Sequence, residues 1–293
     1  MGELAALLAA LTWAVTSIAL TSLSARTAPA VLSGLRLGFG ALAMPIVVIA
    51  ADQVDALSSA SASTIAQVVA SGALGYGLGD TLYILALNRL GMHRTFPVSM
   101  ALYIGLTVLG GVLLLGEPFS WGLPAGAALI VLGVTLVAVP AAGSAGPAPA
   151  TAPLAGAALL LGVGVTWAAA TLWLAHAGEG LEAIAVGAVR TPAGAVALLL
   201  FAAAFQRPAL LEPLRSPGRL AAIALAGLAG TTLGSLLYVY AVLTAGAGRT
   251  AILTATSPLL ALPLAVFVLR EPLTRRIAAG TLACVLGIVL VVS

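Results

Sequence analysis

The residues best equipped for chemistry stand isolated inside long apolar stretches. Asp80 is the one acid well inside such a stretch. At helical spacing Tyr76, Asp80 and Tyr83 fall at i, i+4 and i+7 and so share one face. The second half of the chain repeats that stripe as Thr231, Ser235 and Tyr238. A carboxylate among phenols can bind a polar or amphiphilic solute and can take up and release a proton. The alternative is that Asp80 pairs with Arg36 or Arg190 and locks helices together, because a charge at the centre of a membrane helix costs about 2.5–3.5 kcal/mol unless paired or hydrated. Arg36 and Arg190 themselves could hold a substrate carboxylate through the planar guanidinium fork, or could serve structure by reaching an interface or neighbouring carbonyls. Trp13 and Trp167 lie too deep for an interfacial aromatic belt, so they stack on substrate or fill space between helices. Ser99, Met100 and Tyr103, with Thr254 and Ser257 in the other half, add polar contacts of the kind that also join membrane helices.

Those groups do not assemble into an enzyme. His93 and His176 are far from any acid or cysteine at metal-ligand spacing, so no metal, cofactor or catalytic residue is expected. The Gly75-Tyr76-Gly77-Leu78-Gly79 run lies within an apolar stretch, where small residues let helices approach, and is not a phosphate loop. Every basic residue is arginine, without clusters or interleaved aromatics, so no nucleic-acid partner is expected. Cys284 has no second cysteine to pair with and reads as a small buried hydrophobe.

The elements that position these side chains follow from composition. Of 293 residues 61% are hydrophobic and 7% charged, where a soluble domain carries roughly a quarter charged residues. The outer surface must therefore face hydrocarbon. Apolar runs long enough to span a bilayer occur at 4–23, 29–51, 65–86, 94–115, 121–140, 153–174, 184–204, 219–241, 250–269 and 274–292. They lack the alternation of barrel strands, which leaves helices. Residues 4–23 end in small residues but lack a preceding basic residue and are long for a signal core, so they are expected to remain as a span. Pro97, Pro192, Pro258 and Pro263 sit inside or near the ends of spans, where each tends to kink a helix.

The uncharged segment AAGSAGPAPATA, 141–152, reads as a linker between residues 1–140 and 153–293. Laid over each other, these halves repeat. Thr12-Trp13 falls on Thr166-Trp167 (167 − 13 = 154), and Arg36 falls on Arg190 at the same offset. Gly79, Tyr83, Gly91 and Arg94-Thr95 fall on Gly234, Tyr238, Gly246 and Arg249-Thr250 at 155, and Glu117-Pro118 falls on Glu271-Pro272 at 154. The Glu-Pro pairs are expected to open the fifth and tenth spans, with proline in a first turn and an acid complementing the helix dipole. Five spans per unit make the second unit enter the membrane from the opposite side. The predicted fold is an all-α integral membrane protein of ten transmembrane helices, built as two inverted five-helix repeats with a central site between them.

The repeated Thr-Trp, the Leu35-Arg36-Leu37 and Val189-Arg190-Thr191 sites, and the Gly116-Glu117-Pro118 and Arg270-Glu271-Pro272 loops resemble the EamA-type members of the drug/metabolite transporter superfamily. The resemblance covers nearly the whole chain and each half separately. It implies a multi-pass protein of the cell (inner) membrane, working as monomer or homodimer within the lipid bilayer, that exports small molecules such as amino acids by alternating access. Trp13, Tyr76, Asp80, Tyr83, Ser99, Tyr103, Trp167, Ser235, Tyr238 and Thr254 would line its site, with Asp80 the proton-coupling group and Arg36 and Arg190 structural or carboxylate-binding. A broad-specificity drug exporter, or a membrane-embedded enzyme acting on lipid, are the alternatives.

Orientation sets residues against resemblance. Numbering loops alternately by face, the face with both termini carries Arg249 as its one loop arginine, with Glu3, Asp52, Asp55, Glu117, Glu179 and Glu182. The other face carries Arg26, Arg89, Arg94, Arg207, Arg215, Arg219, Arg270, Arg275 and Arg276. The positive-inside bias makes the arginine-rich face cytoplasmic and puts both termini outside, whereas the resemblance implies termini inside and a basic loop where this chain has ADQVDALSSASAST. We expect alkaline phosphatase fused to the C-terminus to be active and a fluorescent fusion to be dark. The reverse pattern would show that the family topology outweighs the arginines.

Overall fold

The computed structural model describes residues 1–24, 27–90, 92–138, 153–257, 259–261 and 274–293. Among them every regular element is helical. The linker 141–152, Gly91, Pro258, Pro263, Glu271-Pro272 and residues 262–269 of the predicted ninth span lie outside the described residues.

The first half runs α1 (Gly2–Ser24), α2 (Pro29–Ala50), the short α3 (Val54–Ser58), α4 (Ala62–Gly72), a π-helical segment (Ala73–Gly79), α5 (Asp80–Leu90), α6 (Met92–Leu114) and α7 (Gly122–Ala138). The second runs α8 (Pro153–Ala177), α9 (Ala183–Phe205), the short α10 (Arg207–Leu211), α11 (Pro217–Gly227), a second π-helical segment (Leu228–Leu233), α12 (Gly234–Ala245), α13 (Ala247–Thr254) and α14 (Arg275–Val292). Of the ten predicted spans, seven emerge as helices long and apolar enough to cross a membrane: the second, third, fourth, sixth, seventh, eighth and tenth. The first and fifth are α1 and α7, with shorter apolar stretches at Gly2–Thr16 and Gly122–Leu136. The ninth starts as α13. The protein is a multi-pass helical membrane protein, and its outward leucines and isoleucines, such as Leu42, Ile46 and Leu114, are exposed because their solvent is lipid.

Proline ends none of the described helices that carry it internally. Pro97 and Pro192 lie within α6 and α9, which continue through them. The departure from α geometry comes instead at the two π segments, which occupy matching places in the third and eighth spans. Neither was foreseeable from hydropathy, since a π turn changes no residue's polarity.

Small residues bring the helices together at backbone distance. A Cβ on Gly133 would lie 2.5 Å from both Cys284 Sγ and Gly280 O, and one on Gly126 would lie 2.6 Å from Val291. Gly122 packs on the carbonyl of Leu290. As numbering rises along α7 it falls along α14, so these two run antiparallel. The same holds for α2 and α9, where Gly34 meets Leu198 and Leu199 while Leu37 packs with Ala195 and Leu198. Equivalent helices of the two halves thus face each other in opposite directions, which is the relation inverted repeats require. Gly133→Ala is expected to prise α7 from α14, lowering Tm in detergent, because backbone rather than a flexible side chain occupies the space. Gly105→Ala meets nothing within 4 Å and should leave Tm unchanged or raise it, by up to about 1 kcal/mol of helix propensity.

Candidate functional site

The predicted aromatic residues converge where the two halves meet. Trp167 on α8 donates its indole N–H to Asp80 Oδ1 at 3.0 Å. Its ring lies 5.0 Å from that of Tyr83 and 6.1 Å, edge-on, from that of Tyr103. The Tyr103 hydroxyl is 3.2 Å from that of Tyr238, which is 2.8 Å from Thr171 Oγ1. Trp13 then packs on Tyr238 with ring centroids 5.7 Å apart. Tyr76 reaches across to Ser235, hydroxyl to hydroxyl at 3.1 Å. Offset and edge-on pairs of this kind add roughly 0.5–1.5 kcal/mol each beyond area burial. Arg190 lies against the rings of both Tyr76 and Tyr238, at 4.6 and 5.7 Å, so one connected constellation joins Trp13, Tyr76, Asp80, Tyr83, Tyr103, Trp167, Ser235 and Tyr238, drawn from both halves.

Glycine makes that convergence possible. The Trp167 indole sits where a Cβ on Gly79 would be, at 2.5 Å, and the Trp13 indole where one on Gly234 would be, at 2.6 Å. The two tryptophans are repeat partners, yet their N–H groups end differently. Trp13 donates to the carbonyl of Gly230 at 3.0 Å, within the second π segment. Trp167 meets a carboxylate.

Ser99 and Thr254 add no side-chain bond to that constellation. Ser99 is buried with its hydroxyl unpartnered. Thr254 is buried and donates to Thr250 O of its own helix at 2.7 Å, the local bond that serine and threonine commonly make in helices. Arg36 engages through its backbone, whose carbonyl accepts from Thr231 Oγ1 at 2.9 Å, while its Nε is buried without a partner. The ion pair left open for Asp80 is not formed with either arginine among the described residues. Arg190 does not snorkel. It is 4% exposed, bonded from Nε to Ser71 Oγ at 3.2 Å and stacked over the Tyr76 ring at 4.6 Å.

Sequence reasoning missed Thr171 and Ser71. Thr171 stands four residues beyond Trp167, a spacing that places both on one face and could have revealed it. It also missed the partner of Glu117. That carboxylate accepts the backbone N–H groups of Ala247 and, at 3.1 Å, Gly248. It therefore caps α13 in the opposite half, where Gly246 enters at φ 91°, a left-handed conformation that suits glycine. Beside it Arg249 Nη1 meets Glu3 Oε1 at 3.1 Å, which gathers the start of α1, the start of α13 and the 115–121 loop at the face carrying the N-terminus.

A profile of the EamA-like transporter family matches residues 1–139 and again 154–293. The chain belongs to the EamA-like transporter family. It is a membrane transporter of that family. It is 42% identical over 73 residues to a probable 4-amino-4-deoxy-L-arabinose-phosphoundecaprenol flippase subunit, ArnF, of Erwinia tasmaniensis, a match that takes in 24% of this chain and 57% of that relative. The match thus spans little more than half of that relative's length. A solved crystal structure shares the fold over 99% of this chain and 95% of its own, with TM-score 0.79 and 21% identity.

The Glu117 cap generates a measurable expectation. Glu117→Ala removes two charge-assisted bonds and leaves two N–H groups orphaned, which should cost about 1–3 kcal/mol. Glu117→Gln keeps an acceptor and should lose less. Thermal unfolding of the two variants in detergent, ranked against wild type, checks the order.

Proposed function

We propose that this EamA-like transporter is a secondary carrier that exports small amphiphilic metabolites, amino acids among them, by alternating access at the constellation between its halves. The observation that carries the proposal is the single carboxylate Asp80, bonded to one indole N–H and ringed by aromatic faces from both repeats. Aromatic rings accept apolar side chains, hydroxyls accept polar heads, and the carboxylate can exchange a proton as the surrounding helices part. Because the binding groups come from both repeats, rocking one against the other would open them to one side and then the other.

A second reading has one specific support. The similarity to a probable flippase subunit suggests a lipid-linked polar head as cargo, with the helix surfaces guiding an acyl chain. Two buried arginines and no lysine give such a phosphate little to bind, so we favour the soluble metabolite.

Uptake into proteoliposomes, with a panel of amino acids and with and without a proton gradient, tests the proposal. Gradient-driven movement of amino acids supports it, and lipid-analogue translocation without solute uptake favours the flippase reading. Asp80→Asn keeps an acceptor for Trp167 but cannot ionise. It should abolish gradient-driven transport and flatten the pH profile while leaving exchange partly intact. An unchanged pH profile would make Asp80 structural.

A further inference from the structure

The two repeat-related arginines share a backbone role and a neighbouring glycine and differ in what holds the side chain. At each, a glycine of the facing half packs on the arginine carbonyl: Gly72 on Arg190 O, and Gly227 on Arg36 O, where a Cβ would come within 2.6 Å. Next to each guanidinium lies another glycine, with a Cβ on Gly75 falling 3.2 Å from Arg190 Nη2 and one on Gly230 falling 3.3 Å from Arg36 Nη2. The frame is thus duplicated.

The cradle is not. Arg190 Nε is held by Ser71 Oγ, which in turn donates to Ala170 O at 2.7 Å and so cannot swing away. The Tyr76 ring lies 4.6 Å from the guanidinium carbon and the Tyr238 ring 5.7 Å. At the equivalent places around Arg36 the chain has Ala226 for Ser71 and Thr231 for Tyr76, and among the described residues no ring lies over Arg36. A purely structural charge would be needed equally in both halves. Here one guanidinium is held at its Nε edge beside two aromatic rings, and its Nη1 is buried without a hydrogen-bond partner.

We infer that Arg190, and not Arg36, is the anchor for a carboxylate on the transported solute. The inference rests on the carrier reading above and narrows its substrate class to solutes bearing a carboxylate. Ser71 fixes one edge of the guanidinium, and the Tyr76 and Tyr238 rings lie against it. A planar oxyanion then has the remaining edge, reached when the helices part, since Nη1 is sealed in this conformation. Tyr238 carries the signal onward, because its hydroxyl is bonded to Tyr103 and Thr171 and its ring packs on Trp13. Anion binding at Arg190 therefore bears directly on the aromatic cluster. A carboxylate there meets a fixed donor, which in a site shielded from water discriminates strongly against an analogue lacking the charge.

The test uses the full-length protein in detergent, with intrinsic tryptophan fluorescence and thermal stabilisation as readouts. The probes are L-leucine and L-phenylalanine, their amides, their decarboxylated amines, and inorganic phosphate. Wild type should bind the two acids about ten- to a hundredfold more tightly than the amides or amines, with phosphate a poor competitor. Arg190→Gln should erase that preference, Arg190→Lys should keep part of it, and Arg36→Gln should retain it. Equal binding of acids and amides by wild type, which needs no variant, overturns the inference. So does an equal loss in Arg36→Gln and Arg190→Gln, or phosphate outcompeting the acids. Proteoliposome uptake of the amines without preference for the acids would sink the Arg190 anchor and leave the carrier standing. Neither binding nor uptake of any probe would sink both.

Discussion

Between membrane helices there is no bulk water to expel, so association depends on how closely backbones approach and on whether each buried polar group finds a partner. In this chain that approach is set by glycines facing the two arginines and the two tryptophans. Gly72 and Gly227 rest on the carbonyls of Arg190 and Arg36, while Gly79 and Gly234 receive the indoles of Trp167 and Trp13. A methyl group at any of the four would push apart helices from opposite halves. Every feature of the central constellation depends on that contact, because Tyr76 can meet Ser235, and Tyr103 can meet Tyr238, only if the halves are this close.

The π segments belong to the same logic. Each begins just after the glycine that contacts an arginine carbonyl and contains a residue that meets a tryptophan, Gly79 in one and Gly230 in the other. Widening one turn changes the phase of the helix, so that α4 and α5 present different faces to α8 and α9 than one continuous α-helix would. The distorted backbone also offers a carbonyl to a side chain, as Gly230 does to Trp13. Such turns are common at functional sites because they re-aim side chains at modest cost.

Much of this was legible in the sequence because duplication writes the same signal twice. Trp13 and Trp167, Arg36 and Arg190, and Tyr83 and Tyr238 stood out by matching at offsets of 154 or 155, and the helical stripe of Tyr76, Asp80 and Tyr83 did place its members in one constellation. What escaped was whatever depends on a partner far along the chain. Glu117 was assigned to the helix that follows it, since local capping rules see only neighbours, yet its carboxylate serves α13 some 130 residues on. Ser71 and Thr171 are ordinary residues in membrane helices until the fold puts one against Arg190 and the other against Tyr238. Ser99 and Thr254 show the limit of reading hydroxyls from sequence, because one stays buried without a partner and the other turns to the carbonyl of Thr250 in its own helix.

A symmetric frame with asymmetric contents is what a carrier of a polar, directional solute needs. Two identical faces would bind a solute equally in two opposed orientations and could not hold its charged end at a fixed place. Here the repeats supply the same scaffold of glycine, tryptophan and tyrosine, and then diverge at a few positions. One indole meets a carboxylate where its twin meets a carbonyl, because Asp80 stands where the other half has Ser235. One guanidinium has a hydroxyl and two rings about it where its twin has alanine and threonine. Each of these side chains bonds to the opposite half, Asp80 to Trp167, Ser235 to Tyr76, Ser71 to Arg190 and Thr231 to the carbonyl of Arg36, so the positions that break the symmetry also help join the halves. They give the constellation an acidic end and a basic end, and hence a polarity that the backbone alone does not possess.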